Sequence, residues 1–282
     1  MISSVLILNL FWQVSTLALV TLGLAIVFGQ LKIMNMAHGE FVMIGAYAPV
    51  ITGSLGLPGW AQFPVAILTV AAVSLALERL IVRHLYGRLF DSLLATWGIS
   101  ILLRKTAELL FGREYRSVPL PVEGTVRLLG TEYPAYRLMV IVGVVLGFAA
   151  LALWYRRSRV GTRIKAMVGN SALAEAVGID TARLSAAGFV FGCTTAGLAG
   201  LILAPTTRVE PMMGLDHLIR SFFALVVGGL GSLEGLLIGA GVIGGVQSML
   251  GALISQAHGY LLVLVISILF LWLRPHGIHR NS

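Results

Sequence analysis

The chain alternates long apolar runs with short polar stretches, and this pattern predicts membrane-spanning helices. A helix needs about 20 apolar residues, at about 1.5 Å of rise each, to cross about 30 Å of hydrocarbon. Six runs meet or approach that length: Val5–Phe28, Phe63–Leu80, Leu93–Phe111, Leu138–Tyr155, Leu184–Leu203 and Gly259–Leu273. Spanning backbone must satisfy its own hydrogen bonds, and these runs are too long for barrel strands, so we expect helices.

Two further apolar regions are irregular. Phe41–Ile51 is short, and polar residues lead into it, whereas Ile219–Leu250 is long but interrupted by the glycines of Gly228–Gly235. Counting each region once gives about eight membrane segments, some of them discontinuous. A ninth segment arises if the glycines separate a half-helix, near Ile219–Val227, from a full helix. The sequence therefore predicts an all-α polytopic membrane protein in which residues 1–282 form a single transmembrane domain.

Composition strengthens this prediction and narrows the class of protein. Hydrophobic residues make up 57% of the 282 residues and charged residues only 11%, whereas soluble domains carry roughly 25% charged residues. Soluble enzymes, nucleic-acid binders and disordered regulators are therefore excluded. The net charge of +8 resides in short loops between apolar runs, so it indicates orientation in a membrane and no nucleic-acid partner.

The basic residues predict which loops face the cytoplasm. Five lie between Arg156 and Lys165 without an acid among them, and three more follow the span Phe63–Leu80. Both loops are expected inside, whereas Gly112–Arg137, where acids and bases balance, is expected outside together with the N-terminus. The basic tail Arg274–Arg280 favours the cytoplasm. A cytoplasmic C-terminus requires the glycine-interrupted region to cross the membrane one extra time; otherwise the tail is an exception to the rule that basic loops face the cytoplasm. The sequence leaves both possibilities open.

The sequence lacks the nucleotide-binding and metal-binding motifs of soluble enzymes. It contains no Gly-x-x-x-x-Gly-Lys-Ser/Thr loop for ATP phosphates. One cysteine, Cys193, and six scattered histidines make a metal site improbable. We therefore expect no catalytic site, no metal and no cofactor in this chain.

Polar residues at membrane depth are the candidates for a solute path. Asn35, His38 and Glu40, with Gly39 between them, precede Phe41, and ionisable groups at membrane depth usually line a cavity. The alternative is an interfacial loop among lipid headgroups. A second candidate is the glycine break formed by Gly228, Gly229 and Gly231, because transporters bind substrate at broken helices. The glycines at four-residue spacing, Gly231, Gly235 and Gly239, favour close helix packing instead.

Two other polar parts of the sequence predict features at the membrane surfaces. Arg104 and Glu108 are four residues apart and could pair on one helix face. Because they lie near the outer end of their segment, snorkelling to the outer surface is the favoured interpretation. On the cytoplasmic side, residues from Met167 to Val177 are expected to form one short amphipathic helix. Its apolar side would dock into the groove of a partner protein, or the helix would rest on the lipid interface.

Several segments together resemble one family. Gly23–Tyr47, with Met-Asn-Met-Ala-His-Gly-Glu-Phe, resembles the N-terminal signature of the integral-membrane permeases of bacterial branched-chain amino acid ABC importers. Ser158–Ile179 resembles the cytoplasmic loop of that family, Pro211–Gly239 its late signature, and Arg274–Gly277 its usual ending. Within the family, Leu93–Ser100, together with Asp216 and Ser221-Phe222-Phe223, is closer to urea or short-amide permeases.

The resemblance implies a permease that moves branched-chain or other hydrophobic amino acids across the bacterial cytoplasmic (inner) membrane. Its implied partners are a second related permease, two cytoplasmic ATPase subunits that bind the ATP, and an external solute-binding protein. The implied ATPase-coupling residues are Gly161, Met167, Ala174, Glu175, Ala176 and Gly178. A urea or amide importer of the same family is one alternative, and a stand-alone secondary transporter or channel is another.

Overall fold

The computed structural model describes residues 2–128, 130–229 and 233–253, and near the C-terminus residues 264, 265, 267–270 and 272. Helices make up almost all of this part of the chain, which confirms the prediction of an all-α polytopic membrane protein. The α-helices are α1 (Ile2–Leu31), α2 (His38–Ser54), α3 (Gln62–Leu80), α4 (Leu89–Phe111), α5 (Ala135–Arg157), α6 (Arg159–Gly169), α7 (Ser171–Ala176), α8 (Thr181–Leu203), α9 (Met213–Gly228) and α10 (Leu233–Leu253).

The helices coincide with the predicted apolar runs. Among the described residues, five helical stretches are long and apolar enough to cross a membrane: Ser4–Leu31, Gly59–Leu80, Ala135–Arg157, Thr181–Thr206 and Glu234–Gly251. Helix α4 covers the predicted span Leu93–Phe111. The predicted span Gly259–Leu273 lies mostly outside the described residues, as does the basic tail that follows it.

The helix of the second crossing begins within the polar residues that precede Phe41. Helix α1 ends at Leu31, and the chain then runs without helix to Ala37, beginning with Lys32 at a φ of +52°. The backbone N–H of Ala37 donates to Oδ1 of Asn35 (3.1 Å), and α2 begins at the next residue. A non-helical half and a helical half therefore make up this crossing, in agreement with the prediction of discontinuous segments.

The glycine-interrupted region forms two helices. Helix α9 ends at Gly228, and Gly229, with a φ of +111°, begins the turn that leads to α10. The two helices run antiparallel and pack closely, because an added Cβ on Gly228 would strike the Gly235 carbonyl. The predicted half-helix Ile219–Val227 was too short, since α9 already begins at Met213.

Helix α8 lies at the centre of the bundle and packs against α1, α2 and α3. Small residues let these backbones approach: a Cβ on Gly45 of α2 would meet the Gly197 carbonyl of α8, and one on Gly200 would meet the Val42 carbonyl. Phe41 and Phe189 meet edge to face beside this crossing, with ring centroids 6.4 Å apart. The predicted role of glycine in close helix packing thus applies to the centre of the bundle.

We expect Gly45→Val to destabilise the bundle by about 1–3 kcal/mol or more, because no side chain fits between α2 and α8 there. The matched control is Gly53→Val on the same helix, where an added Cβ meets nothing within 4 Å. Thermal unfolding of the purified protein in detergent measures the difference. Equal midpoints for the two variants would contradict the importance of this crossing.

Residues 112–137 form a small structured cap, although the sequence predicted only a charged loop. Strands β1 (Thr125–Leu128) and β2 (Thr131–Pro134) pair antiparallel. The hydroxyl of Tyr133 lies 3.3 Å from the Leu8 carbonyl and 3.1 Å from Oδ1 of Asn9, which fixes the hairpin to α1. We call the side of the membrane that carries this hairpin the outer side.

The opposite, inner side carries α6 and α7, and the prediction of one helix from Met167 to Val177 was wrong. Asn170 separates the two helices because its extended backbone (φ −154°) ends α6. Its side-chain oxygen then accepts a hydrogen bond from the Leu173 N–H (3.0 Å) and caps α7. The basic residues between Arg156 and Lys165 lie on this inner side, which assigns it to the cytoplasm.

Candidate functional site

A polar cavity of about 680 Å³ lies between α1, α9 and α10 in the outer half of the bundle. Each helix contributes residues spaced three or four apart, which is the spacing of a single helix face. Helix α1 contributes Asn9, Gln13, Thr16 and Val20, helix α9 contributes Met213, Asp216, His217, Arg220 and Ser221, and helix α10 contributes Gln247, Ser248 and Gly251. Polar faces at membrane depth are costly unless water or a solute contacts them, so this cavity is the best candidate for a solute site.

Two arginines at the rim are held by aromatic rings. The guanidinium of Arg137 lies 5.3 Å from the centre of the Trp12 ring and donates to Oδ1 of Asn9 (3.5 Å). Arg208 lies 5.0 Å from the centre of the Tyr115 ring. Such cation–π contacts hold a charge at the edge of an apolar region. The rim therefore carries two arginines beside aromatic rings, together with the carboxylate of Glu210.

Below the cavity, the same three helices meet in a dry apolar cluster. Leu22 and Leu24 of α1 pack there with Leu225 of α9 and Leu236 of α10, and each of these side chains is buried. The cavity is therefore open toward the outer side and closed toward the cytoplasm.

The predicted path residues before Phe41 lie behind the cavity wall. His38 is fully buried, and its Nε2 donates to the Val20 carbonyl (2.9 Å), so it supports the α1 turn that forms part of the wall. Gly39 packs against Gly214 of α9, where neither residue has room for a Cβ. The Nδ2 atom of Asn35 lies 3.8 Å from the sulfur of Cys193.

Glu40 takes part in a buried ion pair. Its Oε1 accepts from Nη2 of Arg104 (3.0 Å), from Nε of Arg104 (3.2 Å) and from the hydroxyl of Ser100 (2.7 Å). The Glu40 side chain is 1% exposed and that of Arg104 13%. Arg104 neither pairs with Glu108 nor reaches the outer surface, so both expectations for it were wrong, because its side chain turns inward to α2. Glu108 pairs instead with Lys105 (2.8 Å) and Arg113 (3.4 Å).

The glycine break lies at the inner end of α9, away from the cavity lining. Gly228 is packed against α10, and Gly229 provides the positive φ that ends α9. Gly231, the third predicted residue of this group, lies outside the described residues. The described glycines therefore shape the α9–α10 hairpin.

The predicted coupling residues divide into buried and exposed sets. Gly161 packs against the Tyr155 carbonyl, and Met167 and Ala174 are buried. Glu175, Ala176 and Gly178 are exposed; Glu175 accepts a hydrogen bond from the Thr181 hydroxyl, and Gly178 has a φ of +85°. This arrangement fixes α7 against α8 and leaves its other face open.

Two apolar side chains form that open face. Leu173 is 62% exposed and Val177 is 70% exposed. They are four residues apart and thus project on the same side. We call Leu173 and Val177 the inner apolar face.

The cavity residues of α1, α9 and α10 were missed as a group by sequence reasoning. A usable signal was present in α1, where Asn9, Gln13 and Thr16 repeat every three or four residues in an otherwise apolar run. Asp216 was noted only for its resemblance to urea permeases. Within the described residues, no three His, Cys, Asp or Glu side chains lie close enough together to hold a metal ion.

The fold and cavity define the class of this protein. It is a multi-pass helical membrane protein with a polar chamber that is open on one side and closed on the other, which is the architecture of a permease. The chain belongs to the family described as "Branched-chain amino acid transport system / permease component", which matches residues 6–272. It is thus a permease subunit of an ABC importer and resides in the bacterial inner membrane.

Individual relatives agree with this family. The high-affinity branched-chain amino acid transport system permease protein LivH of Escherichia coli K12 is 30% identical, with 94% of this chain and 91% of that protein covered. The corresponding protein BraD of Pseudomonas aeruginosa shows the same identity and coverage. The solved structure of PsaBC from Streptococcus pneumoniae in complex with a Fab matches at a TM-score of 0.50 and 12% identity. It covers 93% of this chain and 90% of that one, and the likeness concerns the fold alone.

Proposed function

We propose that this chain moves branched-chain and other hydrophobic amino acids inward in an ATP-driven importer. The observation that carries the proposal is the cavity between α1, α9 and α10, which is open outward, polar at its rim and closed inward by apolar side chains. The family and the names of the relatives supply the solute class. Alternating access then requires the apolar cluster of α1, α9 and α10 to separate once the outer mouth has closed.

ATP is bound and hydrolysed by partner subunits in this proposal, so this chain is not an enzyme and carries no cofactor. The sequence has no phosphate-binding loop, and the inner apolar face offers a contact for a cytoplasmic ATPase. Two such ATPases, a second related permease and an external solute-binding protein complete the importer. ATP drives transport only if these partners bind the outward-open and inward-open states with different affinities.

A urea or short-amide solute is the second candidate, and the structure weakens one part of its support. Thr96 and Ser100, in the segment that resembles urea permeases, face α2 and the chain before it. The Thr96 hydroxyl lies 3.0 Å from the backbone nitrogen of Met36, and the Ser100 hydroxyl donates to Glu40. Neither residue lines the cavity. Asp216 and Ser221 do line it, and they remain the basis of this alternative.

The proposal is tested by reconstituting this chain in liposomes with its partner permease, both ATPases and the solute-binding protein. We expect uptake of labelled leucine that requires ATP, and background uptake of labelled urea. This chain reconstituted alone should show no leucine uptake. Uptake by the chain alone would instead support a stand-alone transporter or channel, and ATP-dependent uptake of urea without leucine would support the second candidate.

A further inference from the structure

We propose that Arg220 and Asp216, at the inner end of the cavity, form a binding site for an α-amino acid zwitterion during transport. Arg220 binds the carboxylate, Asp216 binds the ammonium, and the apolar side chain of the solute packs against Leu17 and Val20. This inference rests on the proposed function and deepens it, because it assigns recognition to named residues of the permease itself.

The placement of the two charges follows from α9. Asp216 and Arg220 are four residues apart on one helix, so both side chains lie on the same face, and both line the cavity. Arg220 lies one turn, about 5.4 Å, closer to the apolar cluster that closes the cavity. The carboxylate and ammonium of an amino acid are separated by a single carbon, so one solute can reach both groups.

A buried hydroxyl lies beside Arg220. Ser221 lines the cavity and is 0% exposed, and its Oγ has no hydrogen-bond partner among the described residues. Buried polar atoms are paired in the great majority of cases, so an unpaired one in a cavity wall needs a partner that is absent here. A solute carboxylate supplies such an acceptor, and a hydrogen bond to a charged group is stronger than one between neutral groups.

Apolar parts of the cavity wall suit the rest of such a solute. Leu17 and Val20 of α1, Leu203 at the end of α8 and Met213 of α9 supply apolar surface to the cavity. Its volume of about 680 Å³ lies within the roughly 300–1,000 Å³ of typical small-molecule sites. Urea and short amides carry no formal charge, so they would bind an arginine and an aspartate through hydrogen bonds alone, without the attraction between opposite charges.

The inference is tested by solute protection of an engineered thiol, without the solute-binding protein, whose own specificity would otherwise decide the result. Ser248→Cys places a thiol on the cavity wall, and the native cysteine, Cys193, is 0% exposed. The assembled transporter in proteoliposomes is labelled with a membrane-impermeant maleimide. Leucine, leucinamide (no carboxylate) and 4-methylpentanoate (no ammonium) are compared as protecting solutes.

Leucine is expected to protect the thiol at concentrations roughly ten- to hundredfold below those of either analogue, the factor given by one charge-assisted hydrogen bond. Arg220→Gln should abolish the difference between leucine and leucinamide but keep that between leucine and 4-methylpentanoate. Asp216→Asn should do the reverse. Arg113→Gln and Asp91→Asn alter exposed, weakly paired charges away from the cavity and should keep both differences.

Equal protection by the three solutes in the unaltered chain would overturn the proposed site. It would also be overturned if leucine still protected the thiol of the Arg220→Gln variant better than leucinamide does. If Arg220→Gln fails to assemble, Arg220→Lys provides the measurement, because it keeps the charge and loses the planar fork. It should weaken leucine protection and leave leucinamide protection unchanged. Transport of urea in place of leucine by the complete importer is a different failure, which refutes the proposed function.

Discussion

Replacing both Leu173 and Val177 by aspartate should abolish ATP-driven uptake while the chain still inserts and folds. The two side chains form the inner apolar face and are mostly exposed, so the change removes little packing within this chain. In the assembled importer the same side chains are expected to be covered by an ATPase subunit, where each buried apolar side chain contributes roughly 1.5–3 kcal/mol. Buried aspartates would also be left without partners there.

Two measurements separate this effect from misfolding. Co-purification of the ATPase subunits with the permease should fall to background, whereas the thermal unfolding midpoint of the permease alone should not change. Leu55→Asp is the matched control, because Leu55 is 66% exposed on the outer side and should keep the ATPases bound. Glu175→Arg should also impair uptake, since Glu175 lies on the exposed part of α7. Normal uptake by the double variant would refute ATPase docking at this face.

Removing the carboxylate of Glu40 should destabilise the whole bundle. In Glu40→Ala the guanidinium of Arg104, which is 13% exposed, is left inside the protein without its carboxylate. Breaking a buried ion pair on one side costs about 3–5 kcal/mol, because the remaining charge stays desolvated. We therefore expect a large drop in the thermal unfolding midpoint in detergent and little protein in the membrane.

A double variant gives the decisive comparison for this pair. Glu40→Leu with Arg104→Leu removes both charges, and replacing a buried pair by apolar residues is often neutral or stabilising. Its unfolding midpoint should return close to that of the unaltered chain. Glu123→Ala, in the exposed outer loop, serves as the control for loss of one acid. Normal stability of Glu40→Ala combined with lost uptake would instead place Glu40 on the solute path.

Most of the helices could be predicted from the sequence because their signal is local. An apolar run of about 20 residues in a membrane forms a spanning α-helix. Helices α1, α3, α5 and α8 therefore lie where the hydropathy predicted them. Errors arose where a single residue decides a boundary. Asn170 divides the cytoplasmic stretch into α6 and α7 by capping, and the same asparagine would be tolerated on the exposed side of one continuous helix.

The site was harder to predict, for a different physical reason. Polar residues before Phe41 stood out because an unpaired charge in a membrane is costly. That cost is removed by a partner 64 positions away, Arg104, which no local pattern shows. The charged residues of α9 attracted less notice, because a sequence does not show that the polar faces of α1 and α9 meet across an open space.

The sequence by itself determined that this protein lies in a membrane, where most of its helices lie along the chain, and the family. Each of these follows from hydropathy, from charges in loops, or from short motifs, and each of these signals lies within a short stretch of sequence. Only the tertiary structure decided which rare polar groups pair with one another in the packed interior and which line the cavity. The physical reason is that the fate of a charge in a membrane depends on its neighbours in space: Glu40 meets a guanidinium in a packed interior, whereas Asp216 and Arg220 line a cavity.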